Sequence, residues 1–367
     1  MVDTAFQPDW FSKPGDTLLT LMEQLELTSE SLAKKIDRTD AIVRGLLAGT
    51  IVVDESLAKA LSKHVGGTSD YWLVRQAKYQ TALAKAADVI PHETADQWIK
   101  EFPHSDMRKN GWIKPTMRRS DLVREYLSYF GVNNPTEWEN RYTDFLKNSA
   151  FRTSPTFKSK IGALSIWLRQ GEIEAAQLQC APWNPKALKS RIDEIRVLCK
   201  AKNPAYFLPR LRRICADVGI AIVFVSAPSG CAASGVARFV APNKALVILS
   251  FRYLSDDHFW FTLFHEIGHL LLHNENPTFI DSEDGVESQM EKEANDFSER
   301  TLIPTRYREK LLDLKPNKES VIRFAYSIGV SSGIVVGQLQ HHNVLGRQHL
   351  NFLKRRFSWH DIQLALS

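Results

Sequence analysis

Residues 255–273 read SDDHFWFTLFHEIGHLLLH. Apolar side chains recur on every side of this stretch, so it reads as one buried helix, with Ser255 and Asp256 available to cap its start. Within it His265 and His269 stand at i and i+4. On a helix those positions are about 40° apart around the axis and about 6 Å apart along it, so two imidazoles can converge on one ion. Two unpaired histidines in so apolar a helix would be costly, and a metal removes that cost. Zinc suits the pair: it takes neutral imidazole and carboxylate ligands and makes water ionise near neutral pH. Glu266 lies beside the two histidines, placed to act as a general base.

A third protein ligand must come from elsewhere. The next helical stretch, VESQMEKEANDFSERTLI, stops at Pro304 and offers Glu287, Glu291 and Glu293. Glu291 is preferred, because it leaves Asn295 one turn along on the same face, able to hydrogen-bond the rear of a ligand imidazole. Glu293 lies about 200° from Glu291 around the axis, so both cannot face one ion, and Glu293 reads as a solvated charge. His273 continues the i+4 series, but angular drift places it poorly for ligation. The longer form H-E-x-x-H-x-x-G-x-x-H fails, because Leu272 and Glu275 occupy its Gly and His positions. Tyr307, His341 and His342 are candidates for oxyanion stabilisation.

Upstream, IAIVFV (220–225) is a β-branched run that reads as a buried strand. SGVARFV and KALVILS, joined by the turn-like APN, read as a hairpin whose residues 234–240 form a candidate edge for an extended peptide. The last fifty residues look helical with a basic end, GRQHLNFLKRRF. Everything before residue 204 has helical spacing, apart from a loose lead-in of a dozen residues and a loop at GWIKPTMRRS. The expected class is therefore α+β, mostly helical. Its expected parts are a domain of five helical runs over 14–85, a helical middle region over 86–203, and a domain over 204–367 with a small sheet and the H-E-x-x-H helix, whose zincin-like fold rests on a family resemblance.

With 367 residues the chain is long enough for two or three domains. Its 47 basic and 42 acidic residues give a net charge of +5, too small to mark a nucleic-acid binder by itself. No apolar stretch of about 18 residues predicts a membrane span, and MVDTAFQPDW lacks the features of a secretory signal. Cys180, Cys199, Cys215 and Cys231 are far apart and form no C-x-x-C pair, which fits free thiols in a reducing cytoplasm. Trp98, Trp167 and Trp260 sit in apolar helical patterns and read as packing.

The runs DDHFWFTLFHEIGHLLLH and EKEANDFSERTLIP resemble the ImmA/IrrE family of zinc metallopeptidases. The resemblance extends through FRTSPTFKSKIGALSIWLRQGEIEAAQLQC and IVFVSAPSG to LSFRY. It implies that His265, His269 and Glu291 bind Zn2+ and that Glu266 is catalytic. The amino-terminal run PGDTLLTLMEQLELTSESLAKKIDRTDAIVRGLLAGT, with Trp72 to Gln76 further on, is similar to the HigA-type branch of the XRE helix-turn-helix regulators. That likeness implies a five-helix DNA-binding fold, frequently a homodimeric antitoxin with a cognate toxin.

The residues depart from a phosphate binder. Between Gly15 and Gly66 there are six basic and eight acidic residues, a net charge of −2. Asp40 stands near the start of the expected recognition helix, Arg38 where an apolar residue is usual, and Gly45 inside the helix costs about 1 kcal/mol relative to Ala. If DNA is contacted, Lys35, Thr39 and Arg44 are the side chains expected to do it. MRKNGWIKPTMRR and LKRRF are basic and could supply part of the missing charge, although such runs are usually only solvated faces.

Two readings follow. The first is a cytoplasmic zinc endopeptidase that cleaves a repressor or antitoxin, targeted by its DNA-binding domain in stress, toxin-antitoxin or mobile-element control. The second is an operator-binding regulator or antitoxin whose peptidase-like domain senses a ligand or is only structural.

Overall fold

A computed structural model describes residues 12–114, 118–147, 161–273 and 289–366. Its Cα positions separate into two compact units. One comprises Met1–Asp144, Lys160–Ile173 and Pro228–Gly230; the other comprises Phe145–Ser159, Glu174–Ala227 and Cys231–Ser367. The lead-in, the centre of the GWIKPTMRRS loop, Glu275 and Glu287 lie outside the described residues.

The first unit begins with five helices: α1 (Pro14–Gln24), α2 (Ser29–Lys35), α3 (Asp40–Ala48), α4 (Glu55–His64) and α5 (Ser69–Val89). Their starts follow from local chemistry. Thr28, Asp54 and Thr68 each accept a hydrogen bond from a first-turn amide, and Gly49 ends α3 in the left-handed conformation. Leu18, Leu32, Val43, Leu46, Leu57, Leu61 and Trp72 close over one core. α5 runs past residue 85 to Val89.

Three more helices and most of two others belong to this unit: α6 (His92–Lys100), α7 (His104–Lys109), α8 (Arg119–Phe130), α9 (Pro135–Lys147) and α10 (Ile161–Ala176). They surround an aromatic cluster of Trp98, Phe102, Tyr126, Phe130 and Trp138, whose rings meet mostly edge to face. Trp98 and Trp167 are buried, as packing residues should be.

The second unit holds α11 (Pro185–Val197) and α12 (Pro204–Ala216), then three strands: β1 (Ile220–Phe224), β2 (Gly235–Ala241) and β3 (Lys244–Leu249). The sheet order is β1-β3-β2, with β1 parallel and β2 antiparallel to β3. All five residues of β1 are buried, which is why it shows no polar alternation. β2 is an edge strand. The expected hairpin is present, with a register shift between Phe239 and Ala241.

α13 (Asp256–Leu272) follows the sheet, and α14 (Gln289–Leu302), α15 (Arg308–Leu312), α16 (Lys318–Ile328), α17 (Ser332–His341) and α18 (Trp359–Leu366) complete the unit. Trp260, Leu263, Phe264 and Ile267 of α13 are fully buried in the core with β1, β3 and α17. Each such side chain contributes about 2 kcal/mol from burial. Among the described residues no single helix is long and apolar enough to cross a membrane.

Two local expectations need correction. Ser255 is the residue before α13, but its hydroxyl donates to Asp257 Oδ1 instead of accepting from a helix amide. The basic stretch near the end carries no α-helix, only a short 3-10 turn at Asn351–Leu353, and it is solvated only in part. Residues 342–358 contain no α-helix, and Lys354 is nearly buried with its Nζ 2.7 Å from Asp257 Oδ2. Arg355 N donates to Asp256 Oδ1, Asp256 N donates to Arg355 O, and Ser255 bridges to Arg356. The Lys354 charge is thus taken up by Asp257, and the Arg355 guanidinium by the carbonyls of Cys199 and Ala201.

Candidate functional site

α13 and α14 pack closely because Gly268 faces α14. A Cβ there would stand 3.2 Å from Ala294 Cα and 3.3 Å from Phe297 Cβ. Ser298 Oγ also donates to Phe261 O at 2.8 Å, tying the two helices one turn further along. This approach sets Glu291 opposite His265 and His269.

The three side chains converge. His265 Nε2 and His269 Nε2 are 3.1 Å apart; Glu291 Oε2 is 3.3 Å from the first and Glu291 Oε1 3.2 Å from the second. Among the described residues this is the one group of His, Cys, Asp or Glu side chains able to hold a metal ion. Tetrahedral zinc with ligands near 2.0 Å sets neighbouring donors about 3.3 Å apart, so the separations fit that ion.

Proton positions support the fit. Asn295 Oδ1 lies 3.0 Å from His265 Nδ1. An amide oxygen only accepts, so His265 carries a proton on Nδ1; in the neutral ring Nε2 is bare toward the cluster, and in the charged ring it donates to Glu291. Burial pushes the Glu291 carboxyl up, yet hydrogen bonds and charge from His265 and His269 outweigh that and hold it at about 2. Burial pulls His269 down, and Glu291 together with Glu266 more than reverses this, so its pKa is raised. The cluster is thus a seat for positive charge, a proton or a metal ion. His265 is buried, whereas His269 and Glu291 keep some exposure, so the seat opens on their side.

Glu266 is buried next to His265 and reaches over the start of β2. A Cβ on Gly235 would lie 2.6 Å from Glu266 Oε1. The edge strand therefore runs close to the carboxylate, and any side chain at position 235 would have to displace it.

Residues 215–339 match the family model of the IrrE N-terminal-like domain. The match covers about a third of the chain. It includes β1 to β3, α13 and α14, and with them His265, Glu266, His269, Glu291 and Asn295. It points to a metallopeptidase-like regulator of the IrrE and ImmA kind, in which zinc dependence is typical. Comparison with curated proteins and with solved structures gives no match.

Several other residues are placed elsewhere. His341 Nε2 and His342 Nε2 pair with Glu299 at 3.2 and 3.6 Å, and Tyr307 lies against the guanidinium of Arg306. His273 does not join the donor cluster. It stands behind His269, and Glu293, exposed as expected of a solvated charge, also hydrogen-bonds it at 3.0 Å. The regular i, i+4, i+8 spacing of His265, His269 and His273 signals this arrangement, but its meaning depends on the partner helix.

In the amino-terminal unit, Lys35 and Thr39 are exposed at the end of α2 and the start of α3. Arg44 is half-buried and paired with Asp40 at 2.5 Å, so its charge is largely offset within α3. Arg38 is exposed and bonds to Ser56 Oγ.

Proposed function

We propose that the carboxyl-terminal unit is a zinc-dependent endopeptidase acting on a regulatory protein, such as a repressor or antitoxin. The observation that carries this reading is the three-donor cluster with a buried carboxylate, Glu266, beside it and an edge strand against that carboxylate. His265, His269 and Glu291 would hold the ion, and Asn295 would orient His265. A zinc ion held there supplies Lewis acidity and makes water acidic near neutral pH. Glu266 takes a proton from the attacking water and returns it to the leaving amide nitrogen. The extended substrate lies along the edge of β2, held by backbone hydrogen bonds, which brings its peptide bond past Glu266.

The amino-terminal unit supports a second role, docking on operator DNA. α2, a four-residue link and α3 follow the dimensions of a helix-turn-helix, with Lys35 and Thr39 on the exposed side. The internal pairing of Arg44 with Asp40 argues for modest affinity. This reading makes the chain a cytoplasmic regulator, dimeric on a two-half-site operator, that brings a peptidase to its target. A partner toxin fits the same scheme.

Two measurements test the peptidase. Zinc per chain is determined in protein purified without added metal, beside His269→Ala. About one zinc, lost in the variant, is expected for a three-ligand site. Cleavage of candidate repressors by the wild type is then compared with Glu266→Gln, which should keep its zinc and lose activity. Full activity in that variant would end the peptidase reading.

A further inference from the structure

Behind the three donors stands a second row of groups that the proposed reaction does not use. His269 Nδ1 is 3.2 Å from His273 Nδ1, and His273 Nε2 is 3.0 Å from Glu293 Oε2. Gln289 Nε2 donates to the other oxygen, Glu293 Oε1, at 2.8 Å and fixes that carboxylate. The row runs Gln289, Glu293, His273, His269 and ends at the cluster.

The proton positions in this row follow from what each group can do. An ionised carboxylate only accepts, so His273 carries its proton on Nε2. Neutral His273 then presents a lone pair at Nδ1. The hydrogen in the 3.2 Å contact with His269 must sit on His269 Nδ1. In the neutral ring this leaves His269 Nε2 bare and directed at His265 Nε2 and Glu291, the form in which imidazole binds a metal. Asn295 sets the same tautomer in His265 by a single contact. The two ligand histidines thus have different supports: a neutral amide behind one, a histidine and a carboxylate behind the other.

Geometry makes the row available. His273 is the residue that ends α13, and its side chain is only 7% exposed. Glu293 follows Glu291 by two positions on α14 and points away from the donor cluster, toward the end of α13.

We propose that His273 and Glu293 are positioning residues: they hold His269 in its metal-binding tautomer and orientation without themselves ligating. The inference rests on the zinc reading above. A carboxylate at the far end also makes His269 a stronger donor, because negative charge feeds through His273.

The test uses the full chain and zinc alone, with affinity read by competition against a chromophoric chelator. His273→Leu and Glu293→Leu should each weaken zinc binding, His273→Leu by about 10–100-fold. His273→Gln should restore most of the loss, since its amide oxygen can accept from His269 Nδ1 and its amide nitrogen can donate to Glu293. Cobalt substituted for zinc should keep a four-coordinate absorption spectrum in His273→Leu. Metal-free unfolding curves of the variants are recorded alongside, and the Gln variant separates lost support from lost packing. Affinity within about twofold of wild type in His273→Leu would overturn the proposal. So would a Gln variant that regains wild-type unfolding but not affinity. A changed cobalt coordination in His273→Leu would make His273 a ligand and overturn it as well. Failure of the wild type to bind zinc at all would instead remove the metal reading on which this one stands, so the two failures are distinguishable.

Discussion

Gly235 and Glu266 are in contact across the strand–helix junction: a Cβ on Gly235 would stand 2.6 Å from Glu266 Oε1 and 2.6 Å from Thr262 Cγ2. Neither neighbour is free to retreat far, because Thr262 is buried on α13 and Glu266 lies one turn further on the same helix. Gly235→Ala should push the Glu266 carboxylate aside while leaving the three donors in place. The expected result is normal zinc content with cleavage reduced about 100-fold, as for other displacements near 1 Å. Elemental analysis and a cleavage assay on the same preparation check it. Unchanged cleavage would mean that Glu266 does not act from this position.

Asn295 fixes the proton of His265 through one 3.0 Å contact. Asn295→Ala should lower zinc affinity by about 10-fold or more, and Asn295→Asp, which can still accept from Nδ1, should keep it. Chelator competition measures both. Equal affinity in the Ala variant would show that packing alone orients His265.

Lys13 is buried, with its Nζ 3.2 Å from Ala48 O at the end of α3. Burial and, less strongly, the charge of Arg169 push its pKa down from 10.5 to about 8, with Asp16 pulling the other way. A lysine whose pKa is lowered by folding holds its proton less tightly in the folded state. Between pH 8 and 10.5 the unfolded chain therefore holds more protons, and stability rises with pH across that window. The full effect is of order 3 kcal/mol. Lys13→Met should stabilise the amino-terminal unit more at about pH 7.5 than at about pH 9.5. Urea unfolding of both proteins at both pH values reads the difference, and a pH-independent difference would contradict the assignment.

Asp40 neutralises Arg44 inside α3. If α3 meets DNA, Asp40→Asn should raise operator affinity and steepen its salt dependence, while Arg44→Ala should weaken binding and flatten it by about one unit of slope. Titrations at several salt concentrations decide this. No change in either variant would move DNA contact away from α3.

The parts of the fold governed by neighbours along the chain are legible in the residues alone. The i, i+4 pair at His265 and His269, the β-branched run of β1 and the turn between β2 and β3 all express local rules. The Asp40–Arg44 spacing is local too, although a bare count of charges misses the pairing it permits. What the residues alone do not reveal depends on the meeting of distant segments. Glu293 reads as a solvated charge because its angle from Glu291 turns it away from His265 and His269, and it is exposed, but nothing local reveals that His273 at the end of α13 bonds it. Lys354 and Arg355 read as part of a solvated basic run because the partners of their side chains, Asp257 for the one and the carbonyls of Cys199 and Ala201 for the other, stand far earlier in the chain. The parallel pairing of β1 with β3 is likewise hidden, since a strand buried on both faces shows no sign of its neighbour.

The distance between Arg355 and Asp256 also bears on how the protein is made. Arg355 closes on Asp256 across 99 residues. At ordinary synthesis rates of about 5–20 residues per second, the helix carrying His265 and His269 emerges roughly 5–20 seconds before its fastening strip exists. During that interval its acidic start lacks Lys354 and Arg355, and the nascent chain presents both histidines before their support is complete. The start of that helix is therefore fastened only after residue 355 has been made, so the second unit closes late in synthesis.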